Sequence, residues 1–473
     1  MFPTCKCDKK TLYLSQMLRR YRAFYVAFKA LVNMYIHERE DWTAFRWDAL
    51  KLTAVLEEVN RKQGLLYGRL YSLGFDSKLK AMAENLTNDV VFSSEIEGIR
   101  LNADEVRSSV ARKLGLENVR QTAPSHYVDS VVAVMLDALH HVDQPLTKEK
   151  LCAWQAAFFP TGFSEGFKIE VGRYRTHEEH IVSGIFGREK VHYIAPAPER
   201  VEGEMEKFLH WFNEDEPVSS TIRSAIAHLW FVSIHPFEDG NGRLARILSD
   251  MLLARADKSE FRFYNISSQI NKDKNRYYEI LKKTQNGDGD VTEWILWYAN
   301  TLSKALDEAK VNVNTILSKS LFWQNASSVA FSQRQKDVLN LFLDGYEAKI
   351  TSKMWASLAK CSKDTAIRDI QDLVAKGILR EDFPGAKRPS YSIRYSSDDI
   401  SEDFSDVAIE EQDGFYVLTA TYKRNTPVRE RLQSLDAERF AKGDLPLENL
   451  LDKYCSYMNL SLIHISEPTR RPG

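Results

Sequence analysis

Residues 235–246 read His-Pro-Phe-Glu-Asp-Gly-Asn-Gly-Arg-Leu-Ala-Arg, which brings a base, a carboxylate, a glycine-flanked asparagine and two arginines into one loop and one helical turn. Ile222, Ile226 and Leu229 follow a helical period that Pro236 breaks, and Leu244, Ile247, Leu248, Met251 and Leu252 begin a second helix near Gly242. The loop therefore ends on a helix N-terminus, where unpaired backbone N–H groups and the positive end of the macrodipole attract anions. Gly240 and Gly242 let a phosphate come close to the backbone around Asn241, and Arg243 and Arg246, three apart on one face, suit bidentate phosphate contact. Asp239 is a candidate ligand for Mg²⁺, which takes one or two protein carboxylates and fills its shell with phosphate oxygens and water. His235, with an ordinary pKa of about 6.5, can accept a proton from an attacking hydroxyl near neutral pH. The combination predicts chemistry on a nucleoside triphosphate. Gly-Asn-Gly alone would be an ordinary turn between helices, His235 a core histidine and the arginines a solvated face.

The string resembles the signature of Fic-domain proteins, His-x-Phe-x-Asp/Glu-Gly-Asn-Gly-Arg-x-x-Arg, at every defined position. The resemblance implies transfer of AMP from ATP to a Ser, Thr or Tyr hydroxyl of a protein. It makes His235 the general base, Phe237 the anchor of the loop, Asp239 the Mg²⁺ ligand, Gly240, Asn241 and Gly242 the cradle of the inner phosphates, and Arg243 and Arg246 the holders of the outer ones. These roles suit an in-line attack that needs a base on one side and charge neutralisation on the leaving pyrophosphate. Members that transfer phosphoryl groups instead depart from the Gly-Asn-Gly-Arg portion, and this chain does not.

Far upstream, Ser93-Ser94-Glu95-Ile96-Glu97-Gly98 resembles the inhibitory motif of the same family, with Ser93 and Glu97 one helical turn apart. Alone it would be an ordinary helix end with Gly98 as its cap. Beside the signature it implies that Glu97 pairs with Arg246 and stands in the place of the γ-phosphate, so that the enzyme is self-restrained. In some relatives the same glutamate serves the reverse reaction, removal of AMP, and both directions stay open here.

Around these motifs the pattern is looser. Residues 177–195 carry β-branched residues about Ser183 to Gly187 and predict a hairpin, the counterpart of a family "flap" that registers a target segment as an added strand. His177-Glu178-Glu179-His180 lacks the spacing and the third ligand of a zinc site. Tyr277 and Tyr278, ahead of Asn286-Gly287-Asp288, resemble the stretch that helps form the family's adenine pocket, although a tyrosine pair on a helix also serves packing.

At 473 residues, 44% hydrophobic and net −2, the chain divides into several domains and carries no excess of positive charge that would drive overall nucleic-acid affinity. Five scattered cysteines read as cytoplasmic thiols, and no stretch approaches the roughly 20 apolar residues of a membrane span. The expected fold is mainly α: a Fic-like helical core at 117–306 with a β-hairpin flap, preceded by an N-terminal helical accessory domain at 34–116. A helical connector at 307–330 leads to a winged helix-turn-helix at 331–395, on which Ser362, Lys363, Thr365 and Arg368 would meet a DNA major groove and Lys387 and Arg388 its phosphates. Asp364 and Asp369 dilute that positive face, and protein contact or dimerisation is the other use of such a module. Residues 396–413 hold eight acidic side chains and no basic one, which predicts a solvated linker. Residues 414–459 are unassigned, 1–33 are an extension or basic helix ahead of the first domain, and 460–473 resemble a translated sequencing adapter.

Two function classes follow. One is a protein adenylyltransferase using ATP and Mg²⁺, whose partners are a hydroxyl-bearing protein target, the chain itself as a target, and a second copy in a homodimer, with no membrane. The other is a transcriptional regulator whose core senses nucleotide while 331–395 binds DNA. An intact His235 weighs against the second, since a sensor has little need of a base there.

Overall fold

The computed structural model describes residues 34–455 apart from 72–74, 117–121, 165, 184–189, 215–216, 260–261, 347, 384, 395–403, 413–414, 423–425, 433, 444 and 446. The extension at 1–33, the hairpin tip around Gly184 to Gly187, residues 396–403 of the acidic run and the adapter-like end lie outside the described residues. The described residues are mainly helical and fall into two compact units, 34–61 with 83–305 and 62–82 with 306–455.

The first unit is built outward from a helix that is buried on all sides. Every residue from Thr221 to Ile234 is buried, the mark of a central rather than a surface helix. In chain order the unit holds a 3₁₀ turn at Ile36–Glu38, α1 (Ala49–Tyr71) as far as Arg61, and α2 (Phe75–Ile96) from Ala83. These are followed by α3 (Ala103–Lys113), α4 (His126–His140), α5 (Lys148–Phe158), a two-residue hairpin β1 (Phe163–Ser164) and β2 (Phe167–Lys168), and a second hairpin β3 (His180–Ser183) and β4 (Lys190–Ile194). The remainder are α6 (Pro198–Asn213), the central α7 (Ser220–Ile234), α8 (Asn241–Asp257), α9 (Ile266–Lys272), α10 (Lys274–Gln285) and the start of α11 (Thr292–Asn325). Side-chain caps open α3, α4, α5 and α9 at Asn102, Ser125, Thr147 and Asn265, and Pro198 occupies the first turn of α6, where a missing N–H costs nothing.

Helix α8 turns back along α7, and reciprocal bonds fix the pair: Ser224 Oγ donates to the Ser249 carbonyl (2.8 Å) and Ser249 Oγ to the Ser224 carbonyl (3.3 Å). From the other side Trp294 on α11 donates its indole N–H to the Ala225 carbonyl (2.7 Å). The segment ahead of α1 packs here as well, with Trp42 donating to Glu204 (3.0 Å) and lying edge-on to Trp230.

In the second unit, α12 (Gln333–Leu343), α13 (Ser352–Leu358) and α14 (Lys363–Ala375) enclose Trp355, Leu339, Ala366, Ile370 and Leu373, and the antiparallel hairpin β5 (Leu379–Glu381) and β6 (Tyr391–Ile393) closes that core with Leu379 and Ile393. Asp369 does not sit on an exposed face as the charge pattern suggested: it is buried, accepting both Nε and Nη2 of Arg334 at 2.7 Å and the indole N–H of Trp355 at 3.2 Å. The acidic run is corrected too. Residues 404–412 form strand β7 (Phe404–Gln412), which pairs antiparallel with β8 (Phe415–Tyr422), itself paired with β9 (Thr426–Arg431). Val407 and Ile409 alternate with exposed Ala408 and Glu410, so this part of the run is a strand with one wet face rather than a linker. Helices α15 (Ser434–Ala441) and α16 (Leu447–Cys455) cover the other face through Ala437, Leu450 and Leu451. No described helix is long and apolar enough to cross a membrane.

Asp382, just past β5, accepts Ser390 Oγ (2.6 Å), Ser392 Oγ (2.5 Å) and Arg439 Nη2 of α15 (2.9 Å), and neither charged partner is appreciably exposed. Removing one side of such a pair leaves the other charge buried and uncompensated. Asp382→Ala is expected to destabilise the chain by about 3–5 kcal/mol, read as a lower urea midpoint of the transition that includes the second unit; an unchanged midpoint would show the pair to be energetically idle.

Candidate active site

Six residues separate α7 from α8, and the first is strained: His235 caps α7 at φ 51°, ψ 61°, a left-handed conformation that is uncommon without glycine. Asn241 staples the loop shut. Its Oδ1 accepts the Phe237 N–H (3.0 Å) and its Nδ2 donates to the Phe237 carbonyl (2.7 Å), while the Phe237 ring is fully buried against Tyr174. The asparagine side chain thus holds the loop closed on Phe237. The His235 Nδ1 lies 3.1 Å from the Val232 carbonyl, which can only accept, so Nδ1 carries the proton and Nε2 keeps its lone pair. Burial, reinforced by the charge of Arg175, lowers the His235 pKa to about 4, against the opposing pull of the Val232 bond, Glu97 and Asp239. The imidazole is a neutral base at pH 7.

At the start of α8 the backbone turns left-handed at Gly240 (φ 92°), packed so that an added Cβ would stand 3.2 Å from the Phe159 ring. Asp239 is held by its neighbours, one oxygen accepting Ser164 Oγ and the other the Gly240 N–H. Each oxygen retains a second lone pair, so this acceptor-only carboxylate fits a divalent cation. Arg243 is buried over the rings of Phe158 (4.5 Å) and Phe159 (5.1 Å) and donates Nη1 to the Tyr127 hydroxyl (2.7 Å), while Nε and Nη2 have no hydrogen-bond partner among the described residues. Those two nitrogens form an edge of the guanidinium fork that matches a bidentate anion.

Arg246 is in the opposite condition. Its Nε donates to Ser93 Oγ (2.9 Å), and its Nη2 donates to both the Ser93 carbonyl (2.9 Å) and Glu97 Oε1 (2.6 Å). The sequence spacing explains how Glu97 arrives: the Ile99 N–H bonds to the Ser94 carbonyl and the Gly98 N–H to the Glu95 carbonyl, a helix-ending motif that needs the positive φ of Gly98 (81°) and leaves Glu97 at the tip of α2. The carboxylate occupies the space a side chain at residue 242 would fill, a Cβ there standing 3.0 Å from the Glu97 carboxyl carbon. Gly242 therefore admits Glu97 as well as keeping the helix start open.

The structure separates the two tyrosines. Tyr277 is buried, its hydroxyl 2.9 Å from His228 Nε2, whereas Tyr278 is 41% exposed and donates to the Ile96 carbonyl (3.3 Å), against the end of α2. The hairpin β3–β4 is present, with a bulge between Ile181 and Val182 and exposed Val182 and Val191. His177 lies against Glu238 (3.1 Å) and His180 against Glu178 (3.7 Å), so the two histidines serve separate carboxylates. Sequence reasoning missed Ser164, Tyr127 and the Phe158-Phe159 pair. The aromatic pair at a helix end was a visible signal, but Tyr127 meets Arg243 across 116 positions and nothing local announces it.

Two outcomes are expected. In unliganded protein the His235 ring nitrogens observed by NMR stay those of neutral imidazole at pH 6, because the folded pKa lies below the unfolded value and protonation waits until pH falls toward about 4; a midpoint near 6.5 would contradict the buried placement. Gly242→Ala displaces Glu97, so amide hydrogen exchange at residues 93–99 accelerates at least tenfold over the parent, while equal protection would mean that Glu97 does not need the space.

Residues 145–253 match the Fic/DOC family, and residues 35–116 match a domain of unknown function, DUF4172. Among curated proteins, the protein adenylyltransferase Fic of Drosophila virilis is 33% identical over 138 residues, 28% of this chain and 26% of that one. The protein of the same name from Nematostella vectensis is 24% identical over 257 residues, 54% of this chain and 55% of that one. The chain thus spans about a quarter to a half of the length of these relatives. Solved structures include a Fic family protein from Desulfovibrio desulfuricans (TM-score 0.41, 18% identity, 73% of this chain and 97% of that one) and a Fic domain containing signaling protein from Bacteroides thetaiotaomicron (TM-score 0.41, 19% identity, 56% and 96%). The loop from His235 to Arg246 lies wholly inside the matched stretch, and residues 145–253 are a Fic domain of the Fic/DOC family.

Proposed function

We propose that the chain transfers AMP from ATP to a hydroxyl of a protein target and is restrained by its own Glu97. The observation that carries the reading is the buried Nε–Nη2 edge of Arg243, which has no hydrogen-bond partner among the described residues and lies at the N-terminus of α8. A buried cationic edge left open beside free helix N–H groups is suited to phosphate. His235 would take the proton of the attacking hydroxyl on Nε2, the nitrogen that its Nδ1 bond leaves basic. Mg²⁺, held on Asp239, would supply charge neutralisation across the phosphates. Ser164 and the Gly240 N–H orient that carboxylate, and the Asn241 staple keeps the loop from relaxing around the ligand.

Glu97 works against the same ligand. It occupies Arg246 Nη2, so one cation is withdrawn from the outer phosphates and a like charge is set beside them. A nucleotide that binds in this state lacks one of its two arginine contacts. The regulator reading is not favoured: Lys363, Arg368, Lys387 and Arg388 are exposed, but Asp364 stands exposed among them, and binding without transfer gives His235 Nε2 no task.

The test uses the full chain with α-phosphate-labelled ATP and Mg²⁺ on itself and on cell lysate. Glu97→Gly is expected to raise protein labelling at least tenfold over wild type, and adding His235→Ala should lower it again by about a hundredfold or more. Labelling of Glu97→Gly no greater than wild type would end the restraint, and labelling that survives His235→Ala would end the assigned base.

A further inference from the structure

Arg175 is buried (2% exposed), and four of its five guanidinium N–H donors go to backbone carbonyls. Nε donates to His235 (2.7 Å), Nη2 to Ile234 (3.3 Å) and to Pro196 (2.6 Å), and Nη1 to His177 (2.8 Å), while its own N–H bonds to the Pro236 carbonyl (2.9 Å). Two groups of acceptors are joined. Ile234, His235 and Pro236 are the end of α7 and the strained turn that carries the base. His177 and Pro196 are the two roots of the β3–β4 hairpin, three residues before it and two after. The last carbonyls of a helix lack intrahelical partners and lie at the negative end of its dipole, so a cation there is favourable as well as satisfying. Only a planar fork reaches these diverging acceptors at once; an ammonium is a single point. Tyr193 of β4 adds a parallel tie, its hydroxyl donating to the Ser233 carbonyl (2.8 Å).

We infer that Arg175 is a positioning residue that holds His235 in its left-handed turn and, through the same guanidinium, registers the base with both roots of the β3–β4 hairpin. A target segment laid along the exposed hairpin strand therefore meets a base whose position is set relative to that strand. Among the described residues the hydrogen bonds of Arg175 go to His177, Pro196, Ile234, His235 and Pro236 and none goes to Arg243, Arg246 or the start of α8, so nucleotide binding and base placement are separable. The readout in rate rests on the proposed AMP transfer; the placement itself does not.

The experiment compares Arg175→Lys with its parent in a Glu97→Gly background, using the full chain. ATP affinity by calorimetry should stay within about twofold, while the rate constant for AMP transfer falls about a hundredfold, since a displacement of about 1 Å at a reacting group costs that much. The KM for the protein target should rise. A variant that transfers at the parental rate, or whose ATP affinity falls in step with its rate, overturns the inference. A crystal structure of Arg175→Lys, or of Arg175→Gln if the lysine variant is not recovered folded, decides it without activity: His235 should leave the left-handed region, and His235 at φ near 51° with both hairpin roots in place would refute the assignment. If the Glu97→Gly parent carries no label, the transfer reading has failed and the crystal structure still decides this one.

Discussion

Two hydrogen bonds from one asparagine side chain to the backbone of Phe237 carry the geometry of the site. The central helix α7 and its partner α8 are buried almost throughout, and the chain must reverse between them in six residues without leaving backbone groups unpaired. Asn241 satisfies the donor and the acceptor of Phe237 together, which lets the phenyl ring enter the core and forces the polar residues on either side out toward the cleft. His235 and Asp239 are where they are because Phe237 is where it is. The left-handed turn at His235 would cost about 1–3 kcal/mol by itself, and the capping of its carbonyl by Arg175 is what such a turn requires to persist.

The two arginines of α8 show how burial turns side-chain bonding into function. A guanidinium has five N–H donors, and a buried one left unsatisfied is costly. Arg243 satisfies part of this need with the Tyr127 hydroxyl and two aromatic faces and keeps an edge in reserve. Arg246 satisfies most of it with Ser93 and Glu97. A difference of three residues on one helix thus separates a cation poised for a ligand from one already engaged, and the engaged one is engaged by a segment some 150 residues distant in sequence, 153 from Ser93.

What could be read from sequence was what depends on neighbours in the chain. The helical period on both sides of Pro236, the helix start at Gly242 and the one-turn spacing of Ser93 and Glu97 are all local, and the structure has each of them. Contacts that span the fold were not legible, because a hydroxyl such as Tyr127 or Ser164 gives no periodic signal and its partner is fixed only by packing. The acidic run at 396–413 misled for a different reason. Counting charge hid the alternation of Val407 and Ile409 with the exposed positions 408 and 410, and a strand needs only one dry face. Asp369 shows the same limit, since a charge assigned to the surface by type is buried once Arg334 and Trp355 supply its bonds.

Glu97 stands at the C-terminal end of α2, where the helix dipole is negative and a carboxylate is disfavoured. Its position is maintained by Arg246, by the absence of a side chain at Gly242 and by the Gly98 turn, while the Glu97 side chain is 29% exposed. Such an ion pair is only moderately strong, because solvent screens the exposed partner and the helix opposes it. The other end of the bond differs: Arg246 is 3% exposed and cannot be left without an acceptor. The pair is therefore asymmetric, with an arginine that must always have an anion and a glutamate that is not strongly bound to provide it. An anion with more charge and no helix dipole against it can take the glutamate's place, so the Arg246–Glu97 contact is an exchangeable one.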